Sequence, residues 1–440
     1  MSTQPVGEEP GQPGIQPSRR LDEQERQPPG WLDEQERQPT GRLDEQERQA
    51  RMMLSRLVEP GHRGVHQAVA RIGAAEVQRV LQAGRTLPGI TPRLAAGAAL
   101  RAADLDPARE QHALDAAGGR LVCPGDQEWP GCLDWPADLE TARGSTLEAP
   151  PLALFVRGQY RLTHLVQRSV AIVGARAATR YGDAIASGLA SGLVDRGWSV
   201  ISGGAYGIDA AAHRGALSAV QSGSTGSTVA VLACGVDVAY PRGNDRLLGR
   251  IAEVGLLVSE LPPGSTPTRI RFLVRNRLIA ALSLGTVVVQ AAARSGSLST
   301  LHRAGALGRH QMVVPGPVDE PMSVGCHQAL REDPGGVILV TRLAEVLDCV
   351  GQLGVDAAEP RRGPAHPRDH LDVTLLRVLE AVPVRPGAGE ASIAKTAGLS
   401  SLLVQQVLPS LHIAGLIERH PRGGWCLTTL GASSPAASRD

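Results

Sequence analysis

The chain has 440 residues, 42% hydrophobic and 20% charged, with a formal net charge of +1. That balance suits a globular protein and gives no overall pull toward nucleic acid or an anionic membrane, so any electrostatic argument must be local. Lys395 is the sole lysine, so no G-K-[ST] exists and P-loop phosphate chemistry is excluded.

In chain order, residues 1–50 are expected to be a disordered tail. The heptapeptide Leu-Asp-Glu-Gln-Glu-Arg-Gln begins at Leu21, Leu32 and Leu43, an 11-residue period. Such a period supports a right-handed supercoil, but Pro28, Pro29 and Pro39 interrupt any long helix, and the composition is acidic and polar. The tail lacks the apolar stretch of a signal sequence, and no run reaches the ~18 apolar residues of a membrane span. A cytoplasmic chain with no membrane association is expected. The six scattered cysteines fit reduced, mostly buried thiols.

Residues 51–116 read as a small helical domain, with helices over 64–83 and 93–104. Leu-Pro-Gly-Ile-Thr-Pro (87–92) is either a plain interhelical turn or the hairpin of a helix-hairpin-helix element. Residues 117–350 form the main domain. Within it, β-branched runs at 169–173, 199–202, 228–232, 256–259, 286–290 and 312–314 alternate with amphipathic stretches such as 180–196 and 243–254. Strands alternating with helices predict an α/β fold, a Rossmann-like doubly wound parallel sheet. Residues 351–368 are a Pro/Arg-rich linker, 369–430 a helix, a helix-turn-helix and a hairpin that together make a winged helix, and 431–440 a tail.

Ligands of such sheets bind beyond the carboxyl ends of the strands. The segments that follow the strands there are Gly174-Ala175-Arg176, Ser202-Gly203-Gly204-Ala205-Tyr206-Gly207, Tyr240-Pro241-Arg242-Gly243-Asn244 and Arg294-Ser295-Gly296-Ser297. Glycines admit close backbone approach and helix N-termini offer free N–H groups, so together these loops make a phosphate-binding rim. Residues 261–318 contain no acid but carry Arg269, Arg271, Arg275, Arg277, Arg294, Arg303 and Arg309. Residues 149–182 are also acid-free, with Arg157, Arg161, Arg168, Arg176 and Arg180. Arginine forks grip phosphate and release counterions from a polyanion. Tyr206, Tyr240 and Phe272 fall in the post-strand segments, where base stacking needs no particular sequence.

Catalytic groups are few. Asp209 and His213, at i and i+4, are spaced for an acid–base or metal pair, but a helix cap beside a structural histidine is the favoured reading. No cofactor or metal is expected, and no turnover.

At these motifs the chain resembles the bacterial DNA-processing protein A family (DprA, also called Smf). The matching residues are Val-Gly-Ala-Arg (173–176), Ser-Gly-Gly-Ala-Tyr-Gly-Ile-Asp-Ala-Ala-Ala-His (202–213), Tyr-Pro-Arg-Gly-Asn (240–244), Ser-Glu-Leu-Pro-Pro-Gly (259–264), Arg-Asn-Arg (275–277), Ser-Gly-Ser-Leu-Ser-Thr (295–300) and Val-Pro-Gly (314–316). The resemblance implies a non-enzymatic homodimer that binds single-stranded DNA, protects incoming strands in natural transformation and loads RecA recombinase. Carried over, Arg176, Arg242, Arg275 and Arg277 contact phosphate, and Ser202, Gly203 and Ser297 line the groove; Tyr206 and Phe272 join them as stacking surfaces on the aromatic argument above. Leu273-Val274 departs from the usual Phe-Pro-x, Gln290 stands where glutamate is common, and Gly308-Arg309 lacks the usual acid.

The main alternative is a Rossmann-like hydrolase cleaving nucleoside monophosphates at the glycosidic bond, but Arg-Ser-Gly-Ser-Leu-Ser-Thr (294–300) supplies no acid for an oxocarbenium ion. A dinucleotide oxidoreductase lacks G-x-G-x-x-G in its first loop. A transcription regulator would rest on the winged helix, whose helix 401–414 carries no Lys or Arg for major-groove reading.

Overall fold

The computed structural model describes residues 43–140, 147–352, 355–356, 368 and 371–432. The chain divides into two compact units, residues 1–357 and 358–440. Residues 1–42 of the tail expected over 1–50, most of the linker and the end of the C-terminal tail lie outside the described residues.

The first unit is built on nine strands: β1 Gly119–Val122, β2 Leu154–Arg157, β3 Ser169–Val173, β4 Ser199–Ser202, β5 Ser227–Leu232, β6 Leu256–Ser259, β7 Gly285–Val288, β8 His310–Val313 and β9 Val337–Leu339. Their order across the sheet is β1-β2-β6-β5-β4-β3-β7-β8-β9. Strands β3 to β9 pair parallel, and β2 then β1 extend the β6 edge antiparallel.

The alternation of side chains along β3 shows why both faces are covered. Val170 and Ile172 pack with Leu189, Leu193 and Trp198 on one face, under the helices Arg180–Asp195 and Ile208–Gln221. Ala171 and Val173 pack with Leu278, Leu282 and Leu301 on the other, under the helices Arg269–Ala281 and Gly296–Ala306. A strand buried on both faces cannot alternate polar with apolar, which is why these runs are nearly all aliphatic. The chain leaves β3 outward through β4, β5 and β6, then returns to β7 on its other side. The topological switch point therefore lies between β3 and β7, where such sheets open a crevice.

Two boundaries differ from those expected. The third heptapeptide copy is helical, because the helix Glu45–Leu57 begins there and its polar residues have defined work. Asp44 accepts from the Glu47 N–H at 2.7 Å. Glu47 in turn accepts from the Ala74 N–H at 2.7 and 2.8 Å, closing the N-terminus of the helix Ala74–Gln82. Arg48 grips both oxygens of Asp126 at 2.5 and 2.6 Å. Disorder therefore does not extend through residues 43–50. The expected helix over 64–83 is two, Arg63–Ile72 and Ala74–Gln82, broken at Gly73. Nor do residues 51–116 stand apart: Leu54, Val65, Val77 and Leu81 share a local core, but Met52, Met53 and Leu114 pack with Phe155, Leu232 and Ile251 of the sheet.

In the second unit, the helices Val373–Ala381, Glu390–Ala397 and Ser401–Ile413 are followed by the antiparallel pair β10 Ile417–Arg419 and β11 Trp425–Leu427. Val378, Leu379, Ile393, Val404, Leu408, Ile417 and Trp425 form its core. Among the described residues of the chain, no helix is long and apolar enough to cross a membrane.

Candidate nucleic-acid interface

Five arginines follow the carboxyl ends of the parallel strands and are exposed: Arg176 and Arg180 after β3, Arg242 after β5, Arg269 after β6 and Arg294 after β7. None of them has an ion pair among the described residues. An unpaired surface guanidinium keeps its full capacity for phosphate.

Aromatic rings organise these cations. The Arg176 guanidinium lies 4.9 Å from the centroid of Phe272. Tyr240 packs on the same ring at 5.6 Å, tilted by 45°. Tyr206 is 48% exposed and Tyr240 41%, and the Tyr206 hydroxyl accepts from the Gly243 N–H at 3.2 Å, beside Arg242. Loops from β3, β4 and β5 are thus joined to the first turn of the helix Arg269–Ala281. Phe272, expected as a stacking surface for bases, is the hub holding Arg176 and Tyr240; Tyr206 and Tyr240 carry the open ring area.

Beneath this rim the buried polar groups bond to one another and to the backbone. Ser202 Oγ donates to the Ile172 carbonyl at 2.6 Å, so its side chain ties β4 to β3 instead of facing the groove. The Asp209 carboxylate accepts from the Gly203 N–H at 3.2 Å and the Ala205 N–H at 3.4 Å. It therefore pins the loop before its helix, which starts from Gly207 without a side-chain cap. Burial pushes the Asp209 carboxyl above its usual range, while Arg275 and these N–H groups pull it down. Gln290 laces the loops after β3 and β7 together: its amide oxygen accepts from the Thr179 N–H at 3.0 Å, its amide nitrogen donates to Thr179 Oγ1 at 2.9 Å, and its carbonyl accepts from the Ala175 N–H at 2.7 Å. An amide both donates and accepts here, so the departure from glutamate keeps the loop braced.

Several residues expected to bind phosphate do not reach the surface. Arg277 is fully buried; its fork holds Glu260 at 2.7 and 2.8 Å and its Nε donates to the Ala149 carbonyl at 2.9 Å. Arg275 is 7% exposed and donates to the Gly203 and Val231 carbonyls at 2.7 and 2.5 Å. Ser297 is buried, with its Oγ 2.7 Å from Ser295 Oγ at the start of the helix Gly296–Ala306. The acid-free stretch is acid-free only along the chain. Glu59 pairs with Arg271, Glu260 with Arg277 and Glu148 with Arg303, each reaching in from outside it. Arg168 precedes β3 at the amino end of the strands, pairs with Asp356 at 2.6 Å and lies over Trp198, away from the rim.

Gly207 fixes the turn that joins this rim to its helix. Its φ is +72°, and a Cβ there would meet the Ala175 and Arg176 carbonyl oxygens at 2.3 and 2.5 Å. Backbone cannot give way as a side-chain tip can, so Gly207→Ala is expected to destabilise the unit by about 1–3 kcal/mol. A drop in thermal midpoint would register it.

The fold is a mostly parallel sheet with helices on both faces, and its carboxyl rim carries exposed arginines and tyrosines. The family model described as DNA recombination-mediator protein A matches residues 120–350. A DNA processing protein, DprA, of Mycobacterium tuberculosis is 42% identical over 389 residues, covering 87% of this chain and 95% of that protein. DprA of Streptococcus pneumoniae is 40% identical over 201 residues, 45% of this chain and 66% of that protein. The X-ray structure of the S. pneumoniae DprA superposes with a TM-score of 0.55 at 28% identity, covering 71% of this chain and 100% of that one. The chain belongs to the DNA recombination-mediator protein A family.

Proposed function

We propose that this chain binds single-stranded DNA along the rim defined by Arg176, Arg180, Arg242, Arg269 and Arg294, and acts by binding and not by turnover. In this reading it is a homodimer that protects strands entering during natural transformation and passes them to RecA recombinase. The observation that carries the proposal is the set of exposed guanidinium groups, without an ion pair among the described residues, that shares the carboxyl rim of the sheet with two open tyrosine rings. Cations along a groove take a flexible polyanion whatever its sequence, and exposed rings stack unpaired bases, which a duplex keeps hidden.

Binding without catalysis is supported by the groups that would otherwise react. Asp209 is spent on backbone N–H groups, His213 on Thr228, and Ser297 on Ser295. The C-terminal unit is read as a winged helix whose helix Ser401–Ile413 has no Lys or Arg, which suits a protein contact better than a DNA groove.

Fluorescence anisotropy with labelled oligonucleotides across a salt series tests this. The expected result is tighter binding of a single strand than of a duplex, with little base preference. Arg176→Ala and Arg242→Ala should each weaken single-strand binding about tenfold and lower the slope of log K against log salt by about 0.7. Failure of the unaltered chain to bind unpaired oligonucleotide at low ionic strength would falsify the proposal.

A further inference from the structure

We propose that Arg275 is the positioning residue of the interface and not one of its phosphate contacts. The inference rests on the single-strand reading above and concerns how the chain aims its surface cations before DNA arrives.

The Arg275 side chain starts on the helix Arg269–Ala281 and crosses to the sheet, where its Nη1 donates to two carbonyls from different strands' ends. One belongs to Gly203, just after β4, and the other to Val231 within β5. Gly203 is held from both sides, since its own N–H donates to Asp209. Arg275 Nε is buried without a partner among the described residues. A guanidinium that accepts this cost, beside one buried carboxylate, is spending its donors on geometry.

What it positions is visible one turn earlier on the same helix. Phe272 lies 6.0 Å from the Arg275 guanidinium. The Phe272 ring in turn carries Arg176 at 4.9 Å and Tyr240 at 5.6 Å. Arg275 therefore fixes the distance between the helix and the β4 and β5 loops. Phe272 converts that fixed distance into a direction for Arg176 and a seat for Tyr240. A flexible cation aimed in advance loses less entropy on meeting phosphate.

Two substitutions separate positioning from direct contact. Arg275→Lys keeps the charge but ends its side chain one bond short of Nη1, the nitrogen that serves both carbonyls. Gly203→Ala keeps the arginine but places a Cβ 2.2 Å from its Nη1, so the guanidinium must leave its seat. Both are measured in the full-length chain by single-strand anisotropy, alone and combined with Arg176→Ala, with circular dichroism and a thermal melt confirming the fold.

Each single variant is expected to weaken binding about tenfold, a coupling of ordinary size for residues in contact. In the Arg176→Ala background the further loss should shrink to about twofold, since the residue acts through Arg176. The inference is overturned if either variant binds like the unaltered chain, or if its effect multiplies fully with that of Arg176→Ala, as independent phosphate contacts would. A purely structural role would lower the melting temperature and leave the affinity of the folded protein unchanged. If the unaltered chain itself does not bind single strands, it is the functional proposal that fails, and Arg176→Ala in the same series tells the two apart.

Discussion

Arg277→Ala is expected to destabilise the first unit by about 3–5 kcal/mol, the range seen when one partner of a buried ion pair is removed. Arg277 is 0% exposed, and Glu260 faces it with both oxygens. Truncation would leave that carboxylate buried without its counter-charge and would also free the Ala149 carbonyl, the acceptor of Arg277 Nε. Urea unfolding followed by tryptophan fluorescence reads the loss. The double variant Arg277→Met with Glu260→Gln should recover much of it, because no charge is then left alone. A single variant as stable as the unaltered chain would return Arg277 to the surface, where the Arg-Asn-Arg motif first suggested it belonged.

The architecture was legible because burial on both faces leaves an unmistakable trace. The runs at 169–173, 199–202 and 256–259 coincide with β3, β4 and β6, and the glycine-rich loops after them fall at the carboxyl rim. Less visible were β1, β2 and β9, runs of only three or four residues at or next to the sheet edges, too short to show a period. The helix Arg269–Ala281 was hidden by its own arginines: with seven residues of its length buried, including Arg275 and Arg277, charge marks its core side as much as its solvent side. Thr268 caps it, and Leu273-Val274 lets it run on where a proline would have turned the chain.

The candidate site was half legible for a related reason. A count of acids along the chain cannot see Glu59, Glu148 or Glu260 arriving from elsewhere to neutralise Arg271, Arg303 and Arg277. Position relative to strand ends is the better filter. Arg176, Arg242 and Arg294 lie beyond the carboxyl ends of strands and have no ion pair among the described residues, while Arg168 precedes a strand and is paired. The third heptapeptide copy misled in the opposite way. Its acids suggested a solvated tail, yet Asp44 and Glu47 are helix caps.

His213 should make the fold sensitive to mild acid. It is fully buried on the helix Ile208–Gln221, with Nδ1 2.7 Å from Thr228 Oγ1. The Thr228 hydroxyl already donates to the Val200 carbonyl at 2.9 Å, so the histidine must be the donor at Nδ1, leaving Nε2 unprotonated. That Nε2 is buried with no partner among the described residues, and a proton added there would have no acceptor. Burial first, then Arg275 and Arg214, push the imidazole down from 6.5 to about 3. Between those values the unfolded chain binds a proton that the folded chain refuses. The stability tied to the neutral ring is therefore fully present above about pH 6.5 and falls as the pH drops toward 3. From pH 7 to pH 5 this single group should remove about 2 kcal/mol. His213→Leu deletes the titration while Thr228 keeps its bond to Val200, so urea midpoints of the variant should lose that much less over the same interval. Equal losses in both proteins would show that His213 is not the sensor. Because the same helix carries Asp209, which pins the loop after β4, the acid loss of stability and of single-strand binding should share one midpoint.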